Sequence, residues 1–353
     1  MSFEPSDHSV QGDQIESKDL FLPEAPPLSP AWTEYENKNG LADAQPPRLS
    51  QSGYDALKAR QQNYSRDCIS RNSRMLSSGE RDHHLLEGIQ ISREDATARD
   101  GHIIPIRLYS PPDLEGERHL IIYYHGGALR VGDLNSEDLT CRRICKEARV
   151  KVMSVDYRLL PDYHPDTAVN DAWDAFVAIH DARKQDLELP PGKTILVGSS
   201  SGGQLAAQVS QLARGTEYHI TGVVLRCPVT VDASEGGIYI PSRFQRSHTS
   251  FGPSFESSLL GIDAVALPKA SSLPLAAESF KALPRTWIQV CTNDIYYSDG
   301  LCYYEALKMA GNDVQISRWE GFPHTFWLKA PELEESLQAD VDMLGFLKGV
   351  LRA

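Results

Sequence analysis

Ser200 lies at the centre of Gly198-Ser199-Ser200-Ser201-Gly202-Gly203, Asp294 follows an apolar run that ends at Cys291, and His324 closes Gly321-Phe322-Pro323-His324. A serine hydroxyl is a weak nucleophile at neutral pH. To attack a carbonyl it needs a base, a carboxylate that orients the base, and N-H donors for the oxyanion that forms. In chain order the three residues are nucleophile, acid and base, one of the orders in which such a triad occurs. Candidate oxyanion donors are the N-H groups of Gly126, Gly127 and Ala128 in His125-Gly126-Gly127-Ala128, together with that of Ser201. No metal ligand set or cofactor motif accompanies them, so the expected chemistry needs neither metal nor cofactor.

Each choice has competitors. Gly-x-Ser-x-Gly alone is a weak signal, because Gly/Ser loops are common. Here the motif follows Thr194-Ile195-Leu196-Val197 and opens the helical pattern Gly203-Gln204-Leu205-Ala206-Ala207, a strand-turn-helix setting that exposes the central hydroxyl. Only Ser200 of the serine triplet has glycine at both minus two and plus two. Among eleven histidines, His324 alone follows both the last strand-like run and a candidate acid. His8 is in the N-terminal tail, His83 and His84 precede the core, and His125 belongs to the glycine turn. For the acid, Asp294 competes with Asp299, and Asp294 also reads as a cap of the helix that follows.

These loops need a scaffold. Strand-like runs are expected at Leu86 to Ile91, Ile103 to Tyr109, Leu120 to Tyr124, Val150 to Val155, Thr194 to Val197, Gly222 to Leu225, Thr286 to Cys291 and Val314 to Trp319. Helical periods fall at about Glu137 to Ala148, Thr167 to Ala182, Ser201 to Ala213, Gly300 to Ala310 and Leu333 to Leu351. The alternation predicts an α/β fold: a mostly parallel eight-stranded sheet with helices on both faces, antiparallel where its first strands lack helices between them. Residues 86–227 and 285–353 form the expected core. Residues 1–30, poor in apolar residues, read as a tail that is mobile or drapes over the domain. Residues 31–85, with one or two amphipathic helices between Gly53 and Ser78, and residues 228–284, rich in Gly, Pro and aromatics, read as a helical cap.

Composition removes other classes. The 353 residues are 41% hydrophobic and 24% charged, which suits a globular domain, and the formal net charge of -13 argues against nucleic acid as a partner. No segment has the roughly 18 uncharged apolar residues of a membrane span, and the N-terminal residues lack a secretory pattern, which predicts a cytoplasmic protein. The six cysteines form no CxxC pair and are expected as free thiols. Nothing in the sequence sets the oligomeric state; a homodimer is compatible with it.

The ordered motifs resemble the α/β-hydrolase superfamily, in its hormone-sensitive-lipase-like branch of carboxylesterases. The resemblance rests on His125-Gly126-Gly127-Ala128, Asp156-Tyr157-Arg158-Leu159-Leu160-Pro161-Asp162, the Ser200 motif, Asp294-Ile295-Tyr296-Tyr297-Ser298-Asp299 and His324-Thr325-Phe326, and covers roughly Ile91 to the C-terminus. Ala128 stands where the family pattern has glycine, Ser199 where it has an acid and Ser201 where it has alanine, and Ile295 and Ser298 alter the acid loop. The resemblance implies a cap and a mainly structural Asp156-Tyr157-Arg158. The reaction it implies is ester hydrolysis through an acyl-serine, on a small to medium apolar or aromatic ester. Likeness to fungal-type esterases implies a secondary-metabolite intermediate as substrate. A lyase or cyclase step, or small-molecule reception without catalysis, is the alternative on the same scaffold. Candidate substrate contacts are Leu129, Arg130, Tyr296, Tyr297, Phe326 and Trp327. The aromatics read equally well as core, and Arg130 as a partner of a surface acid.

Overall fold

Leu120–Tyr124, Thr194–Ser199 and Gly222–Arg226 are strands with every residue buried. A strand buried on both sides needs a helical layer over each face. The computed structural model describes residues 9–11, 20, 22, 25–40, 54–112, 119–184, 192–231 and 272–353, and within them a single mixed sheet supplies that sandwich. Its strands are β1 (Ser9–Gln11), β2 (Gln90–Thr97), β3 (Ile103–Ser110), β4 (Leu120–Tyr124), β5 (Lys151–Val155), β6 (Thr194–Ser199), β7 (Gly222–Arg226), β8 (Arg285–Asn293) and β9 (Val314–Pro323). Their order is β1-β9-β8-β7-β6-β4-β5-β3-β2. The run from β5 to β9 is parallel, while β2, β3 and β1 pair antiparallel at the two ends.

The helices are α1 (Pro30–Lys38), α2 (Tyr54–Met75), α3 (Asp138–Ala148), α4 (Pro165–Lys184), α5 (Ser201–Ala213), α6 (Tyr297–Met309), α7 (Phe326–Lys329) and α8 (Glu334–Arg352). Alternate strand residues face opposite layers, as the two-residue period requires. Ile122, Tyr124, Leu196, Leu225 and Ile288 pack with Phe176 of α4, Leu205 of α5 and Leu301 of α6. Ile121, Tyr123, Ile195, Val197 and Val224 pack with Ile144 of α3 and Leu347 of α8. Because β4 to β9 run the same way, the turns after β4, β6, β7, β8 and β9 emerge along one edge. His125, Ser200, Cys227, Asp294 and His324 are therefore brought together by strand direction alone. None of the described helices is long and apolar enough to cross a membrane.

Two expectations need correction. The first strand does not run from Leu86 to Ile91: His83–Leu86 forms a 3-10 turn, Gly88 adopts φ 70°, and the strand begins at Gln90. Its residues are almost all exposed, so an edge strand with no buried face left no apolar alternation to read. The sheet also has a ninth strand, since β1 pairs with β9. The described part of the N-terminal tail is docked on the domain. Leu20 is fully buried, Pro26 O accepts from Asn293 Nδ2 at 2.7 Å, and Ser29 N donates to Gly321 O at 2.8 Å. A tail poor in apolar residues is held there by one buried leucine and by backbone groups, which composition does not register. The expected single or double helix after Gly53 is the continuous α2. Of the expected cap insertion at 228–284, residues 232–271 lie outside the described residues. All six cysteines are free and buried.

Beneath the parallel edge lies a buried ionic network. Arg226 is fully buried; its Nε donates to Gln289 Oε1 at 2.7 Å, its Nη1 donates to Asp340 Oδ1 at 2.8 Å, and its guanidinium lies 3.9 Å from the centre of the Trp327 ring. Asp340 Oδ2 also accepts from Arg143 Nε at 3.0 Å, and Arg143 pairs with Asp82 at 2.9 Å. Removing one member of a buried charge set leaves its partners uncompensated, at a cost of about 3–5 kcal/mol. Asp340→Ala should therefore lower stability by about that amount in a urea titration at neutral pH. A loss below about 1 kcal/mol would show that the two arginines find other acceptors.

Candidate active site

Glycine is required at the turn after β6 because backbones meet there. A Cβ at Gly198 would lie 2.1 Å from Gly202 O, and one at Gly202 would lie 2.0 Å from Tyr124 O. Between them Ser200 takes φ 54° and ψ -123°, a conformation that costs an L-residue of order 1–3 kcal/mol and persists only where surroundings enforce it. Its N-H donates to Arg226 O at 2.8 Å, its carbonyl accepts from Gln204 N at 3.1 Å, and α5 begins at the next residue. The hydroxyl is thereby projected beyond the strand edge.

The sequence-selected residues converge there. His324 Nε2 is 2.9 Å from Ser200 Oγ, and His324 Nδ1 is 2.8 Å from Asp294 Oδ2. Asp294 is 2% exposed and also accepts from Tyr296 N at 2.8 Å, which fixes its carboxylate. Burial opposes charge on His324, but the adjoining Asp294 carboxylate outweighs it and raises the imidazole from its ordinary 6.5 to about 9. With Asp294 on Nδ1, Nε2 is directed at the serine, the orientation a general base needs.

The glycine turn after β4 lies against this group. Gly127 has φ 123°, and a Cβ there would sit 2.0 Å from Val131 O, so the turn needs glycine at that position. Ala128 and Leu129 follow in the left-handed region, at φ 56° and 57°. Among the described residues no acceptor is seen for the N-H of Gly127 or Ala128. Gly126 departs from its expected role: its N-H is taken up by Glu137 Oε1 at 2.8 Å. Leu129 N-H donates to Ser201 Oγ at 3.3 Å.

The proposed substrate contacts divide. Tyr296 presents an edge to His324, with ring centres 5.1 Å apart. Tyr297 does not face the site: it is fully buried and its Oη donates to Leu20 O at 2.6 Å. Phe326 and Trp327 are likewise core, packed with Trp319 and Phe322. Sequence spacing places an aromatic near a catalytic loop without giving its direction, which the packing on α6 and α7 decided. Leu129 is buried in the main core, and Arg130 lies behind the turn, where its carbonyl accepts from Gln61 of α2 at 2.8 Å. Asp299, the competing acid, is occupied elsewhere: its Oδ2 accepts from Thr230 N at 2.7 Å and Val231 N at 3.1 Å, and burial pushes it up to about 8.

Two neighbours of the site carried no sequence signal. Glu137 reads as an acid at a helix start, and Cys227 as a lone thiol. Cys227 has φ 47°, and its Sγ, an Asp294 oxygen and a His324 ring nitrogen all lie within 4.8 Å of one another. This is the one potential metal-ligand group among the described residues, and its imidazole and carboxylate are already bonded to each other. Burial pushes the Cys227 thiol well up, so it stands beside the pair uncharged.

Comparison with known proteins bears on the fold and the family. The sequence pattern of a family described as alpha/beta hydrolase fold matches residues 121–328. Carboxylic ester hydrolase LipN of Mycobacterium tuberculosis is 34% identical over 238 residues, an alignment spanning 63% of this chain and 61% of LipN. A hyperthermophilic esterase of the archaeon Pyrobaculum calidifontis superimposes with a TM-score of 0.72 at 24% identity, covering 93% of this chain and all of the other. Vibralactone cyclase superimposes with a TM-score of 0.77 at 20% identity, covering 94% and 97%. The two structures speak for the fold alone. The family match, the motif order and the relatives agree, and the chain belongs to the alpha/beta hydrolase fold family, in its hormone-sensitive-lipase-like branch of ester hydrolases.

Proposed function

We propose that this chain is a serine carboxylesterase that forms an acyl-Ser200 intermediate. The observation that carries the reading is the continuous hydrogen-bonded chain from Ser200 Oγ through His324 to Asp294 Oδ2. In the reaction, His324 Nε2 takes the Ser200 proton as Oγ bonds to the ester carbonyl carbon. The N-H groups of Gly127, Ala128 and Ser201 are the proposed oxyanion donors. Donors of this kind contribute about 10²–10³ in kcat each. His324 then protonates the leaving alcohol as the C-O bond breaks, and water, deprotonated by His324, releases the acid. Asp294 holds the ring and stabilises its charge throughout.

A small to medium apolar or aromatic ester is the substrate class that suits Tyr296, whose ring flanks His324. A hydroxyl of the substrate's own acyl chain could take the place of water, giving a lactone instead of an acid. Product analysis separates the two outcomes.

Ser200→Ala should reduce turnover of p-nitrophenyl butyrate by about 10⁴-fold or more, and a fluorophosphonate should add one equivalent at Ser200 of the unmodified protein. Wild-type turnover in the variant would overturn the assignment.

The pH profile tests the base. Raising a histidine pKa favours imidazolium, and only neutral imidazole accepts the proton, so kcat/KM should rise with pH. Its inflection should lie above the ordinary 6.5, toward about 9. Asp294→Asn should bring the inflection down and cut kcat by about 10⁴. An unmoved inflection would assign the titration to another group.

A further inference from the structure

The N-H groups of the glycine turn fall into an ordered set. Gly126 donates to Glu137 Oε1, Leu129 donates to Ser201 Oγ, and the two N-H groups between them have no acceptor among the described residues. The acceptors at both ends are tied to the nucleophile turn. Ser201 follows Ser200 directly. Ser199 precedes it, and Ser199 Oγ donates to the same Glu137 oxygen that receives Gly126 N-H. Glu137 Oε2 accepts from Tyr123 Oη of β4, so both carboxylate oxygens are occupied.

Glu137 is 3% exposed and stands at the residue preceding α3. A side-chain acceptor in that position ordinarily caps its own helix. Here it makes no such bond and reaches the two turns instead. Hydrogen bonds to a buried carboxylate are short and strong, and they fix geometry more tightly than neutral ones. Ser199 and Ser201, the two departures that flank the nucleophile, have their hydroxyls in these bonds.

We infer that Glu137, Ser199 and Ser201 are positioning residues that brace the oxyanion turn against the nucleophile turn. They set the distance from Ser200 Oγ to the Gly127 and Ala128 N-H groups. The inference rests on the reading of Ser200 as nucleophile. Displacing a reacting group by about 1 Å costs about 10²-fold in rate, so the brace acts on kcat through the donors it holds and touches no substrate itself.

The experiment compares wild type with Glu137→Ala, Glu137→Gln, Ser199→Ala and Ser201→Ala. Active sites are titrated with a fluorophosphonate, kcat and KM are measured for p-nitrophenyl butyrate, and Ki is measured for an aryl trifluoromethyl ketone, which forms an oxyanion on Ser200. Glu137→Ala should lower kcat per titrated site by about 10²-fold, leave KM within about twofold, and raise Ki in proportion to the loss in kcat/KM. Glu137→Gln, which keeps one acceptor oxygen, should retain more activity, and each serine variant should lose less than Glu137→Ala in the same direction. Unchanged kcat per titrated site in the folded variants, with only a lower Tm, would overturn the brace and leave Glu137 a packing residue. Parallel rises of KM and Ki would overturn it in favour of a role in substrate binding. If Glu137→Ala does not fold, the two serine variants decide between these outcomes. Wild type that neither takes up the probe nor turns over ester would instead refute the underlying assignment of Ser200.

Discussion

The backbone of Ser200 is held at φ 54° and ψ -123°, and much of the surrounding structure exists to enforce that strain. An isolated chain would relax it. Here three backbones meet within van der Waals distance: the end of β6, the first turn of α5 and the turn after β4. The Ser200 N-H is tied to the carbonyl of Arg226, whose own side chain is locked in the ionic network below. Strain at Ser200 is thus offset by contacts spread over several elements, which is how such conformations survive in folded proteins.

Electrostatics around the site follow from the same arrangement. Asp294 is buried with its carboxylate committed to His324 and to a backbone N-H, so its charge acts on the imidazole and not on solvent. Glu137 lies on the other side, beneath the glycine turn, and is likewise surrounded by donors. Cys227 lies close to the histidine-aspartate pair without contributing charge. The N-H groups of Gly127 and Ala128, which meet no acceptor among the described residues, are the local positive ends of the glycine turn.

Much of this was readable from residue order. Ser200, Asp294 and His324 each follow an apolar run of strand length, and in a parallel sheet that is enough to place them on one edge. The direction of the neighbouring side chains was not readable. Tyr297, Phe326 and Trp327 have the composition of a substrate pocket and the position of core residues, because a helix turns each successive side chain by about 100° and only packing tells which turn faces inward. The docking of Leu20 and of residues 25 to 29 was equally hidden, since beside the one buried leucine it uses Pro26 O and Ser29 N, backbone groups common to every sequence.

The sequence by itself singled out Ser200, Asp294 and His324, the three side chains the fold brings into one hydrogen-bonded chain, because glycine spacing and strand order are local properties that survive without a fold. Tertiary structure alone decided which N-H groups of the glycine turn are already engaged. Gly126 and Ala128 are equivalent on paper, and only the approach of Glu137, eleven residues on and just before α3, commits the first, while the second meets no acceptor among the described residues. Hydrogen-bond availability depends on what arrives from distant parts of the chain, and no local pattern of residues contains it.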